Sequence, residues 1–257
     1  FLRPLGLRLV EKYTHNISFV GSLYTEKCPY DKVKNLSPKI SGYLHGIMKA
    51  QEKIYGYYFV EELLSDELVD EFVKNYDGYY LAGEEDLLTK KRTLAQFYIG
   101  NKITAMERVD TFKYLSEKFE VDIYTASDTK EIPKLKNHGT IMTHTQMPIV
   151  FNKSTINLNP TSKPIRSGIP LRIFDLLACE GFVLCNYQSD LLNEFLQGEE
   201  LDIYSSIEEL EEKIRYYLSH MDVCREIAHN GYEKVSKYHT YPLRLEQMFR
   251  LGEHRRR

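Results

Sequence analysis

Residues 154–160 read STINLNP and residues 166–185 read RSGIPLRIFDLLACEGFVLC. In the first stretch Ile156 and Leu158 alternate with polar neighbours and the run stops at Pro160, the pattern of a strand. Pro170 suits the first position of a helix, and residues 171–178 carry apolar side chains at helical spacing. The four residues FVLC at 182–185 then read as a buried strand. Strand, glycine-containing loop, helix and strand form one winding of a parallel α/β sheet.

The same texture extends outward. Residues 16–24 form a β-rich run that meets a Gly-Ser turn, and 121–125, 138–141 and 201–204 read as short strands. Helices are expected at 41–55, from Ser65 onward, over 90–118 with Gly100 as a kink or join, and at 146–151, 191–196, 207–218, 222–238 and 241–251. Ser206 and Glu209 have capping-box spacing. The expected fold is α/β: a Rossmann-like parallel sheet with helices on both faces, over residues 16–257. A helical insertion occupies about 37–118, and 1–15 read as a linker or the remnant of a preceding domain. Such sheets bind ligands at the carboxyl ends of their strands: here after Val20, after Tyr124, around Gly139, after Asn159 and after Cys185.

The 257 residues are 42% hydrophobic and 28% charged with a net charge of −3, so the chain has ample core material and no basic excess of the kind that nucleic acid demands. No apolar run approaches the length of a membrane span; residues 171–185 are broken by Arg172, Asp175 and Glu180. Cys28, Cys179, Cys185 and Cys224 show no CxxC pair, which reads as reduced thiols in a cytoplasmic protein without structural zinc. The opening FLRPLG, without Met, reads as the start of a fragment or processed chain. With 20 Tyr, 12 Phe and no Trp, the aromatic surplus suits either a half-polar groove or ordinary core edges. The acidic run 208–212 and the basic end 255–257 read as solvated charge.

The loop before 171–178 exposes backbone N–H groups at the positive end of a helix, a place suited to phosphate. Arg166 and Arg172 can add charge-assisted contacts, and the Asp175 carboxylate can accept from two adjacent hydroxyls, as a ribose presents them. The same spacing equally suits a plain crossover in which Arg172 and Asp175, at i and i+3, form a surface ion pair.

SGIPLRIFDLLACEGFVLCNY resembles the donor-site segment of GT-B glycosyltransferases, in particular the glycosyltransferase-1-like C-terminal domain of spore-maturation (CgeB-type) proteins. ISFVGSLY at 17–24, the stretch from Met147 to Asn159 and HTYPLRL at 239–245 extend the resemblance over roughly residues 16–250. It implies a nucleotide-sugar donor, UDP-sugar first, with Asp175 on the ribose where the wider superfamily often has Glu. Ser167, Gly168 and Ile169 would face the pyrophosphate or sugar, Gly21 and Ser22 would approach the phosphates from the opposite side, and Gly139, Thr140 and Ile141 would lie beside the base. The earlier acid of the family's EX7E motif is missing, because Gly168 stands at its place.

A leaving nucleoside diphosphate needs donors or cations. With no DxD-type pair in a suitable loop, Lys163, Arg166, Arg172 and backbone N–H groups are the expected suppliers, and no metal or other cofactor is expected. His144 and His239 are the histidines to weigh as an acceptor base, against the plainer reading of a structural or surface His. The resemblance places an acceptor-binding N-terminal domain outside this chain. The alternatives are a nucleotide-binding module that transfers nothing, or a partner-docking domain using the Tyr-rich insertion.

Overall fold

Strand β1 (His15–Val20) is rich in β-formers and lies at the centre of a six-stranded, wholly parallel sheet. The computed structural model describes residues 11–79 and 89–254. The other strands are β2 (Asp122–Tyr124), β3 (Lys136–Asn137), β4 (Ser154–Asn159), β5 (Val183–Asn186) and β6 (Asp202–Tyr204), in spatial order β3-β2-β1-β4-β5-β6. Ile17 pairs with Ile156 and Phe19 with Ile123, so β1 is hydrogen-bonded on both sides. This is the doubly wound Rossmann order.

Period-two alternation sends side chains to opposite faces of each strand. On one face Ile17, Phe19, Ile123, Ile156, Leu158 and Leu184 pack against helices α7 (Ile207–Ser219) and α8 (Met221–Tyr238). On the other, Val183, Cys185 and Ile203 meet α4 (Met147–Lys153), α5 (Leu171–Ala178) and α6 (Ser189–Glu194). Burial on both faces explains why the strands carry few charged residues. The final helix, α9 (Tyr241–His254), follows α8 directly.

Between β1 and β2 the chain builds a second helical layer. Helix α1 (Pro38–Glu52) starts with Ser37 Oγ accepting from the Ile40 N–H, and α2 (Asp66–Lys74) starts with Ser65 accepting from Leu68. A helical turn at Lys90–Thr93 leads through a π-helical stretch, Leu94–Ile99, into α3 (Gly100–Ser116). Residues 94–103 of this rod pack with Leu44, Met48, Leu68 and Phe72 in a core of the insertion's own, whereas Phe112 and Leu115 pack under the sheet. Part of the tyrosine surplus goes here: Tyr30, Tyr76, Tyr79 and Tyr98 surround Phe72.

The sequence places a kink or join at Gly100, and the structure supplies its cause. The π turn ends there, and a Cβ on Gly100 would lie 2.2 Å from the Pro164 side chain, so only glycine lets the rod approach the β4–α5 loop this closely. One strand expectation is corrected. Residues 138–141 are not a strand, because β3 ends at Asn137 and Gly139, at φ +75°, turns the chain away. The chain's first ten residues and the basic end Arg255–Arg257 lie outside the described residues.

Candidate functional site

In this strand order the chain leaves β1 toward β2 and leaves β4 toward β5, so the loops part at the carboxyl ends of β1 and β4. Arg108, from α3, spans that parting. One guanidinium nitrogen donates to the Ser22 carbonyl and the other to the Pro160 carbonyl at 2.6 Å, with the plane 4.9 Å from the Tyr24 ring centre. Burial pulls Arg108 below its ordinary value, and it stays a cation. Beside it Ser22 accepts from the Tyr24 N–H and donates to Glu26, and the Gly21 N–H donates to the Tyr124 carbonyl. Gly21 and Ser22 therefore shape a tight turn in which the Gly21 N–H, the Ser22 hydroxyl and the Ser22 carbonyl are engaged within the fold.

The β4–α5 loop is pinned from below. The Thr161 backbone exchanges two hydrogen bonds with the Asn186 side chain, and Ser162 meets Thr104 of α3 at 2.8 Å. Lys163 is buried, 3.3 Å from Glu107, with its ammonium 3.0 Å from the Tyr55 ring centre. Burial pushes the Glu107 carboxyl up and the Lys163 ammonium down, and their mutual attraction offsets part of each. Arg166 reaches the insertion as well, contacting Glu61 and the Tyr58 carbonyl, each at 3.3 Å. The Tyr58 hydroxyl in turn donates to the Ala95 carbonyl in the π turn.

These residues wall a cavity of about 230 Å³, lined by Tyr55, Tyr58, Lys163, Arg166, Gly168 and Gln188 among others. Gly168 holds φ +83° with open space where a Cβ would be, and its N–H donates to an Asp190 carboxylate oxygen at 2.5 Å. An anion thus already sits on this loop's exposed donor. The buried Gln188 Oε1 has no hydrogen-bond partner among the described residues. Ile169, next along, lines an adjoining surface cleft with Gly168, Phe174 and Asp190.

The remaining expected residues take other places. Helix α5 begins at Leu171, so Pro170 is its N-cap and not its first helical residue as the sequence suggests; with no side-chain cap, the first-turn N–H groups have no side-chain acceptor at this end among the described residues. Arg172 turns toward α4: its guanidinium meets the Met147 sulfur at 2.6 Å and lies 5.3 Å over the Phe151 ring. Asp175, one turn on, is exposed, and Ser167 is exposed in the loop. Ile141, like Val20 at the end of β1, packs against the cluster of Tyr124, Ile149 and Val150 and against the one that holds Met147, which brings the 139–141 turn to the Arg172 flank. Thr140 and His144 are exposed there. His239 is packed between Phe174 and Phe195, hydrogen-bonded to Arg244 and 3.7 Å from Glu194; burial lowers its proton affinity.

The expected cations thus divide between two flanks, with Lys163 and Arg166 under the insertion and Arg172 against α4. Arg108, Glu107, Tyr55, Tyr58, Gln188 and Asp190 are site residues that sequence reasoning missed. Arg108 and Glu107 look like ordinary polar positions of an amphipathic helix, and only the π turn and the close approach of Gly100 put them over the sheet.

A family model described as glycosyl transferase-like matches residues 105–250. No curated protein matches the chain in sequence. Among solved structures, TarM aligns at 13% identity with a TM-score of 0.44, covering 56% of this chain and 31% of that one. A mutant of S. aureus TarM in complex with fondaparinux, alpha-GlcNAc-glycerol and UDP aligns at 9% identity and 0.45, covering 86% and 48%. The chain thus spans about a third to a half of the length of these solved chains.

Proposed function

The chain belongs to the glycosyl transferase-like family, and from that premise we propose that it is the donor-binding half of a GT-B glycosyltransferase of the spore-maturation type, moving a sugar from a nucleoside diphosphate to an acceptor hydroxyl. The observation that carries this reading is the β4–α5 loop. Its Gly168 N–H already holds a carboxylate, beside the Arg166 guanidinium and the uncapped start of α5. A diphosphate would replace Asp190 on that donor and draw on Arg166 and the first-turn N–H groups of α5.

The leaving diphosphate gains charge as the glycosidic bond breaks, and fixed donors of this kind lower that barrier. Asp175 would accept from the ribose hydroxyls, and residues 139–141, brought alongside by Ile141, would face the base. Gln188 Oε1, a buried acceptor on the cavity wall, would take a hydroxyl donor from the sugar. Lys163, neutralised by Glu107, orients the loop and does not act as a free cation.

A thermal-shift series with UDP, GDP, ADP and TDP tests this reading, with UDP expected to raise the midpoint most and Asp175→Ala to shrink the shift. No shift with any of the four defeats it. A second reading, a nucleotide-binding module without turnover, is favoured by one observation: neither His144 nor His239 lines the cavity. UDP binding without transfer or hydrolysis of a labelled UDP-sugar supports that alternative.

A further inference from the structure

The geometry points to a divalent transition-metal site made by His15 of β1, Asp122 of β2 and His138 just past the end of β3, at the β3 edge of the sheet. Asp122 Oδ1 lies 3.3 Å from His15 Nδ1 and 2.7 Å from His138 Nε2, and the three ligand atoms all fall within 4.8 Å of one another. With metal–ligand bonds of about 2.0–2.2 Å, neighbouring donors of a tetrahedral zinc site stand roughly 3.3 Å apart. The cluster therefore needs only small side-chain adjustments to close on an ion.

Three further features make it more than a chance meeting of polar groups. His15 Nε2 is 2.7 Å from the Tyr124 hydroxyl. A hydrogen donated there leaves the Nδ1 lone pair free for a metal, the outer contact by which metal-bound histidines are held in one tautomer. The His138 ring stacks on Tyr124 with centres 5.0 Å apart and planes at 25°, which fixes its direction. His15 and Asp122 are buried while His138 remains 37% exposed, so an ion can reach the site from solvent and keep a fourth, non-protein ligand. Two imidazoles with one carboxylate suit zinc or ferrous iron rather than magnesium or calcium. None of the three residues lines the Arg166 cavity, so the assignment stands independently of the donor-site reading. A bound ion would tie the two-residue strand β3 to β2 and β1.

The test uses the tag-free full chain, stripped with chelator and titrated with Zn2+ by calorimetry, then with Co2+ by visible absorption. One Zn2+ per chain is expected, with an intense four-coordinate Co2+ spectrum and a higher melting temperature for the loaded form. His138→Ala, at the exposed ligand, should abolish stoichiometric binding, whereas His220→Ala, at a surface histidine, should leave it intact. Because His138→Ala also removes ring packing, His138→Gln is run alongside, and circular dichroism confirms that both stay folded. Substoichiometric Zn2+, an octahedral Co2+ spectrum, or equal binding by His138→Ala and His220→Ala overturns the assignment and leaves a hydrogen-bonded His–Asp–His cluster.

Discussion

The Arg108 guanidinium donates to the Pro160 carbonyl across the point where the chain parts between β1 and β4, while its other nitrogen holds the Ser22 carbonyl. A side chain from the insertion thus closes the sheet's ligand-binding edge from one side. Arg108→Met leaves two inward carbonyls without their donor and should cost about 2–4 kcal/mol in denaturant unfolding. Arg108→Lys, a point charge without the planar fork, should recover only part of that.

Glu107 and Lys163 form a buried pair, 3.3 Å apart and each 4% exposed in its side chain. Lys163→Met alone strands a buried carboxyl and should destabilise by about 3–5 kcal/mol, whereas the double change Glu107→Gln with Lys163→Met should recover much of the loss. A double-mutant cycle by chemical denaturation measures the coupling. Simple additivity would show that the pair does not fasten the loop to α3.

Gly168 has open space around it, so Gly168→Ala tests the backbone alone. At φ +83° an added Cβ should cost about 1–2 kcal/mol and disturb the N–H that now faces Asp190. Asp190→Asn should act in the opposite sense on binding, because it removes the anion that competes with phosphate, and UDP should bind several-fold more tightly by calorimetry.

Glu211 of α7 ties that helix to the end of the insertion rod α3. Hydrogen bonds from Lys118, Tyr114 and Arg215 hold its carboxyl down to about 2. A carboxyl with a depressed folded value contributes stability above its unfolded value, near 4.3, and loses it as pH falls toward 2. Wild type should therefore lose stability across that window more steeply than Glu211→Gln, as read from melting temperature against pH.

The sheet was legible because its strands are short apolar runs between Gly, Pro and polar turns. Ile156, Leu158 and the Phe182–Cys185 stretch could hardly sit elsewhere than in a buried strand. The glycine loop at Gly168 was legible for the same reason, standing between a strand and Pro170. The insertion's path was not. The π turn at Leu94–Ile99 and the contact of Gly100 with Pro164 are tertiary outcomes, and with them the placement of Arg108, Glu107 and Tyr58. Spacing likewise offered Lys163 as a phosphate cation without revealing Glu107 against it. His15, Asp122 and His138 lie too far apart in sequence for any spacing rule to join them; the side-by-side pairing of β1, β2 and β3 brings their segments together, and the side chains meet across it.

The central claim, that the β4–α5 loop binds a nucleoside diphosphate, is tested most directly by calorimetric titration of UDP into the wild type and into Arg166→Ala and Asp175→Ala. Saturable one-to-one binding is predicted, weakened about tenfold or more in each variant, as loss of a charge-assisted contact requires. Absence of binding to the wild type, or equal affinity in all three proteins, would contradict it.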